Sequence, residues 1–432
     1  MMHSLWSETV TLPKFEPLTK DTKTDVLIIG GGIAGILCAY YLEQERVPYL
    51  LVEADTIASG ITGNTTAKIT AQHGLIYDKL FRKGKEKAKL YYDANTYAVH
   101  EYRKLSKTIS CDFEEKNSYV YSVSDARKIE NEASALQKLN IPAEYSCRLP
   151  LPFPVAGAIG LPGQAQFHPL KFLAGVSKGL SICEHTKVRE LAGTTAITNH
   201  GRIRADKIII ATHFPILNKH GSYFLKLYQH RSYVLALKNA ALYDGMYVDE
   251  NEKGLSFRTY QNMLLLGGGG HRTGKTGGNW NELLAFSQKY YPKAEAVYRF
   301  ATQDCMSLDS VPYIGQYSAR TPNLYVATGF SKWGMTSSMV AAVLLRDLIL
   351  ERTNPYLELF SPSRSIWHPQ LFLNSAESAW NLIAPAKKRC PHLGCALKWN
   401  AAEHSWDCPC HGSRFGENGQ LIDNPATDDL NS

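Results

Sequence analysis

The run Asp25-Val26-Leu27-Ile28-Ile29 leads into Gly30-Gly31-Gly32-Ile33-Ala34-Gly35 and then a helical stretch to about Glu45. A second apolar strand, Tyr49-Leu50-Leu51-Val52, ends on Glu53. A glycine-rich turn held between a strand and a helix admits few folds. Gly30 allows the tight turn, Gly32 lets the backbone approach a pyrophosphate, and Gly35 lets the helix pack on the strand. The helix N-terminus then turns its positive dipole end toward the phosphates. Glu53, eighteen residues past Gly35, is placed to accept hydrogen bonds from an adenosine ribose. An acid there argues against a 2′-phosphate. The unit predicts a doubly wound α/β domain for a dinucleotide, without separating FAD from NAD.

The other end of the chain carries Cys390-Pro391-His392-Leu393-Gly394-Cys395 and Cys408-Pro409-Cys410-His411-Gly412-Ser413. A C-x-H pair and a C-x-x-H pair, with fifteen residues between them, supply two thiolates and two imidazoles. That ligand set suits a [2Fe-2S] cluster with Cys390 and Cys408 on one iron and His392 and His411 on the other. Zinc accepts the same residue types, but its paired ligands usually sit two to four residues apart. A structural zinc site and a redox-inert disulfide knot are the alternatives. The boxes resemble those of Rieske proteins in respiratory and photosynthetic cytochrome complexes. The resemblance implies a Cys395–Cys410 disulfide pinning the two loops together.

The chain has 432 residues, 44% hydrophobic and 20% charged, enough for two or three domains with a large core. A net charge of +7 without a dense basic block does not point to nucleic acid. No run of eighteen apolar residues occurs, so no membrane span is expected. Cys38, Cys111, Cys147, Cys183 and Cys305 are scattered singly, as in a cytoplasmic protein. In that setting a disulfide is unusual.

Further segments resemble the D-amino-acid oxidase, glycine oxidase and sarcosine oxidase family of flavoproteins over roughly residues 22–355. They are Ala58-Ser59-Gly60-Ile61-Thr62-Gly63-Asn64-Thr65-Thr66, the strand Lys207–Ala211 followed by Thr212-His213, Asp309–Gly315, and Asn323–Phe330 continuing through Gly334-Met335-Thr336. His213 stands where the family carries glycine. The resemblance implies FAD, with Ser59, Gly60, Thr65, Thr66, Val188, Ala211, Asp309, Gly315, Gly329, Gly334, Met335 and Thr336 joining Gly30, Gly32, Gly35 and Glu53 around it. Amino-acid-oxidising relatives clamp a carboxylate with an arginine just before the Asp-x-x-Pro motif. Asp304 takes that position, and an acid suits a cationic amine better. Lys332, Asp304 and Arg258 are the candidate catalytic residues, with Arg231, Tyr233, Tyr260 and His271 as further candidates for the pocket wall.

Gly269-Gly270-His271-Arg272-Thr273-Gly274-Lys275-Thr276 fits the P-loop pattern. A P-loop needs a helix starting at its Lys-Thr, and Gly277-Gly278 follows instead. The stretch is read as a loop after a strand of the substrate domain.

The expected fold class is α/β. A doubly wound FAD-binding domain (22–85, 155–218, 305–355) and an antiparallel-sheet substrate domain (86–154, 219–304) form an oxidoreductase over 1–360. A small β-rich Rieske iron–sulfur module occupies 361–432, with little room for strands before its first box. The cluster is expected to be held partly by packing on the flavin domain. The expected activity is an FAD-dependent dehydrogenase. A small amine or amino acid would deliver hydride to the flavin, and electrons would leave singly through the cluster to an external acceptor. An electron-transfer or redox-sensing protein with no small substrate is one alternative. An amine oxidase using O2, with a structural metal tail, is the other.

Overall fold

The computed structural model describes residues 4–217 and 220–430. The expected segment boundary at 218/219, and the outermost residues of the 1–360 and 361–432 units, lie outside them.

Three sheets organise the chain. In the first, Tyr49–Val52, Thr22–Ile29, Arg202–Ile210 and Leu324–Thr328 run parallel side by side. Tyr313–Gln316 closes one edge antiparallel, and the short Ile182–Cys183 extends the other. Thr22–Ile29 is apolar on both faces at its C-terminal half because both faces of the sheet are covered. Helices Ile33–Gln44 and Gly334–Ile349 pack together on the Val26 and Ile28 face, while Val188, Ala196, Phe214 and Tyr223 cover the Leu27 and Ile29 face.

The second sheet has nine strands and is antiparallel except where Met246–Asp249 pairs with Glu114–Ser122. Its long members are Leu227–Lys238, Met263–Arg272 and Glu295–Ser307. Two strands expected in the dinucleotide segments, Gly157–Gln166 and Lys68–Ile69, pair in this second sheet instead. The chain crosses between sheets there, and strand-forming residues look the same in either one.

The third sheet, Lys398–Asn400, Ser405–Asp407, Arg414–Gly416 and Leu421–Asp423, is a sequential antiparallel meander. A helix, Pro369–Ile383, precedes the first box where other strands were lacking. It buries Leu371, Asn374 and Asn381 and leaves Phe372 and Trp380 more than 60% exposed. Among the described residues, no helix is long and apolar enough to cross a membrane.

Candidate functional site

Parallel strands end together, and their carboxyl ends open onto a crevice where ligands bind. Here Ile29, Val52 and Ile210 are adjacent partners, and the turn after Ile29 faces a cavity of about 900 Å³. That volume lies at the upper end for small-molecule sites. Of the expected dinucleotide residues, Gly30, Gly32, Glu53, Ser59, Gly60, Thr65, Thr66, Val188, Ala211, Gly334 and Met335 all line it.

Gly35 lies behind the turn. A Cβ there would sit 1.9 Å from the Gly30 carbonyl oxygen, so only glycine lets the helix reach the strand. Gly35→Ala is expected to empty the flavin site and to destabilise the fold by about 1–3 kcal/mol or more, since backbone rather than a flexible side chain is in the way. Flavin absorbance per chain and the melting temperature check this. Glu53 accepts from the Gly31 amide at 2.6 Å and the Asp55 amide at 3.0 Å. Burial raises its carboxyl above the ordinary value, against the pull of those amides.

Other expectations are corrected. Asp309 is held by Arg364 in a two-pronged ion pair (2.8 and 2.9 Å), so its carboxylate serves the fold. Gly315 faces Pro362 and Gly329 faces Leu227 and Ser307, away from the cavity. Thr336 donates to the Thr70 carbonyl, 3.1 Å, and pairs with His73. Arg258 is fully buried and spends its donors on Gln166 (2.9 Å), Thr66, Ala67 (3.0 Å) and Phe167 (2.9 Å). It joins the crossover strands and does not line the cavity. Tyr260 donates to Asp112 at 2.6 Å, also outside the cavity. Arg231 is engaged by Glu403 of the C-terminal module, whereas Tyr233 does line the cavity while its hydroxyl donates to Glu403 at 2.9 Å. His271 stacks on Tyr233 rather than facing the cavity.

Asp304 and Lys332 do line the cavity. Ser232 donates to Asp304 at 3.2 Å. Burial pushes the Asp304 carboxyl up, opposed by the charges of Lys332 and His213. Ser331 and Lys332 both adopt left-handed backbone (φ 50° and 73°), and the Ser331 amide is tied to the Cys305 carbonyl at 2.9 Å. His213 also lines the cavity, with φ 64°. That explains the family's glycine: the backbone there is left-handed, which histidine tolerates better than most residues. Lys68, overlooked in the sequence, faces the cavity and donates to Thr66 Oγ1 at 3.1 Å. Burial lowers its amine to about 7. Its position in a two-residue strand left no sequence signal.

The two cysteine–histidine boxes are one turn built twice. Cys390 N donates to Cys395 O (2.9 Å) and Gly394 N to Cys390 O (2.8 Å); Cys408 N donates to Ser413 O and Gly412 N to Cys408 O, both 2.9 Å. Gly394 and Gly412 supply the left-handed step at φ 82° and 85°. Cys395 and Cys410 form the disulfide, leaving Cys390 and Cys408 as thiols. The sulfurs of Cys395, Cys408 and Cys410 lie within 4.8 Å of one another, but two of them are joined, so that trio is no metal site.

The remaining four residues fit a [2Fe-2S] cluster. The His392 and His411 rings stand perpendicular with centroids 4.9 Å apart. Burial holds them neutral, at about 4 and about 3, the form that ligates metal. The buried His411 Nδ1 has no partner, while the Phe224 backbone hydrogen-bonds the ring. Hydrogen bonds from Cys408 and Ser413 help pull the Cys390 thiol down to about 7, against burial, while the neighbouring Cys390 and burial push the Cys408 thiol up.

The boxes dock on the flavin-binding part. Phe214 packs edge-on to His392 and His411, centroids 6.5 and 6.3 Å away. Arg272 reaches the Pro409 carbonyl at 3.2 Å, and Gln303 donates to the Gly412 carbonyl at 2.9 Å. The P-loop-like segment is the seat for this docking. Its Gly274 abuts Pro409, Lys275 pairs with Glu377 at 2.7 Å, and the next helix begins only at Asn279.

The family described as FAD dependent oxidoreductase matches residues 25–348, and the Rieske [2Fe-2S] domain matches residues 371–432. YhfW of Bacillus subtilis (strain 168), whose name assigns it provisionally to the Rieske 2Fe-2S iron-sulfur proteins, is 35% identical across 98% of this chain and 95% of its own. The cytochrome b6-f complex iron-sulfur subunit of a Synechococcus species is 54% identical over 37 residues, 9% of this chain and 22% of that one. Glycine oxidase from Geobacillus kaustophilus superposes with a TM-score of 0.68 at 19% identity, covering 80% of this chain and 99% of that structure. L-proline dehydrogenase from P. horikoshii gives 0.67 at 17%, covering 80% and 98%. These two establish the fold.

Proposed function

The chain belongs to the FAD dependent oxidoreductase family and carries a Rieske [2Fe-2S] domain, and from that premise we propose that it is a dehydrogenase of small amines or amino acids whose electrons leave through the cluster to an external one-electron acceptor. FAD would supply the two-electron step, accepting a hydride from the carbon that bears the neutral amine and leaving an iminium ion, and the cluster would supply two successive one-electron transfers outward.

One observation carries this reading: the cluster histidines pack on Phe214, three residues beyond Ala211 in the cavity wall. The two rings differ in exposure. His411 is buried against Phe214 and Phe224, whereas His392 is half-buried beside the exposed Leu393. Electrons would enter on the His411 side and leave on the His392 side. The five cysteines outside the boxes are free thiols, which suits a reducing compartment, the cytoplasm.

Asp304 is assigned to the ammonium of the incoming substrate, which releases one proton to solvent before the hydride leaves, and Lys332 lines the same cavity. Asp304→Asn should raise KM for a cationic amine by about 10-fold or more, the worth of a charge-assisted hydrogen bond, with flavin content unchanged. In the parent, burial raises the carboxyl, so lowering the pH through that raised value neutralises it and KM should climb on the acid side. A KM for amine indifferent to both changes would remove Asp304 from the site.

The test of the overall reading is an anaerobic titration with candidate amines, following flavin absorbance and the low-temperature EPR spectrum together. Bleaching of flavin with the appearance of a Rieske signal supports the relay. Bleaching that never reaches the cluster, with steady peroxide formation in air, supports an oxidase instead.

A further inference from the structure

The cavity is not closed by the flavin-binding part alone. Residues 421–424, 426, 427 and 429, from the last strand of the cluster module and the segment after it, line the same space as the glycine turn. We propose that this C-terminal segment is part of the FAD site, covering the adenosine half of the dinucleotide and linking its retention to the cluster loops.

Position along the cleft follows from the neighbours. Glu53, placed for the ribose, and Thr186–Val188 lie together, since the Thr186 amide donates to the Glu53 carbonyl at 2.7 Å. Lys187 of this same stretch donates its Nζ to the Thr427 carbonyl. Nearer the middle, Asn424 Nδ2 donates to the Thr212 carbonyl at 2.6 Å and to the Phe214 carbonyl at 2.8 Å. Those residues directly follow Ala211 at the end of its strand. The segment therefore runs along the rim from the sheet end to the adenosine end, fixed at both by side chain-to-carbonyl bonds.

The link to the cluster is one hydroxyl. Ser413, the last residue of the second box, accepts from the Ala426 amide at 3.0 Å and hydrogen-bonds the Cys390 thiol. A cluster ligand and the cavity wall share that partner. Whatever sets the box loops in place also sets the segment over the cleft. Binding energy at either site then favours order at the other, and the coupling is reciprocal.

The experiment is a binding measurement and does not depend on amine turnover. Holoprotein is stripped of FAD with its iron retained, and FAD and ADP are titrated back by fluorescence and calorimetry. Asn424→Ala removes two hydrogen bonds that hold the rim. It should weaken FAD and ADP alike by about 10-fold, with iron content and the Rieske EPR signal unchanged. In the parent protein, FAD or ADP should slow hydrogen exchange of the amides in 421–430. If Asn424→Ala disturbs the cluster as well, the exchange measurement decides. FAD and ADP affinities within twofold of the parent with the cluster intact, or amides in 421–430 indifferent to both ligands, would overturn the proposal. Either result leaves the amine-dehydrogenase reading to its own titration.

Discussion

His411→Ala is expected to lower iron from about two atoms per chain toward none, while substrate still bleaches the flavin. Reduction of a one-electron acceptor such as ferricyanide or a cytochrome should then fall to the level of direct leakage from flavin. His411 is the proposed ligand through its buried, partnerless Nδ1 and also the ring pressed against Phe214 and Phe224. Its loss removes the cluster and the contact in one step. The flavin cavity is lined by other residues, so its content should hold unless the segment 421–429 loosens. Metal analysis, stopped-flow absorbance and steady-state acceptor reduction read the three quantities separately. Acceptor reduction at the parent rate in iron-free protein would end the relay.

The second large effect concerns Glu403. Its carboxylate accepts from Arg231 Nε at 3.0 Å, Tyr233 at 2.9 Å and Arg414 at 2.8 Å, and both Arg231 and Glu403 side chains are 5% exposed or less. Arg414 also holds Asp407 at 3.0 Å and Asp423 at 3.1 Å, but Glu403 is the one carboxylate paired with Arg231 among the described residues. Glu403→Ala leaves a buried guanidinium uncompensated across the interface, and removing one partner of such a pair costs about 3–5 kcal/mol. The module should undock, becoming sensitive to proteolysis after Phe360 and losing rapid electron transfer from flavin. Replacing both partners, Arg231→Met with Glu403→Leu, should recover most of the stability because no charge is then stranded. A stable, docked Glu403→Ala protein would show that the network is dispensable.

The same carboxyl titrates. Burial would raise it, but Arg231 and Arg414 outweigh burial and hold it down to about 2 from an ordinary 4.5. A folded value below the unfolded one stabilises the docked state above pH 4.5 and loses that contribution as pH falls toward 2. Docking should therefore weaken across that acid window in the parent and not in the double replacement.

Two parts of this protein were readable in the sequence because each is local. The turn Gly30–Gly35 makes its own strand–helix packing, with Gly35 fitted against the Gly30 carbonyl. Each box makes its own turn, so the ligand spacing of Cys390, His392, Cys408 and His411 is the geometry itself. The substrate wall was readable only in part. Asp304, Lys332 and Tyr233 line the cavity, whereas Arg258, Tyr260 and His271 do not, and of the expected dinucleotide residues Asp309, Gly315, Gly329 and Thr336 lie outside it. A strand's alternation tells which residues share a face, and says nothing of what that face meets. Arg231 and Tyr233 share a face, but only packing against the C-terminal module decides that Glu403 engages them.

The amino-acid sequence by itself determined the dinucleotide turn and the turn of each cysteine–histidine box, since residues a few positions apart are bound to meet, whereas the Cys395–Cys410 disulfide, implied by the Rieske resemblance, joins residues 15 positions apart. Tertiary structure alone decided that the P-loop-like segment seats Pro409, that Arg258 ties two crossover strands together, and that residues 421–429 reach the far side of the flavin cavity. Those contacts join residues up to 240 positions apart, as between Lys187 and Thr427. Their partners are chosen by how three sheets pack, and no local pattern encodes that packing.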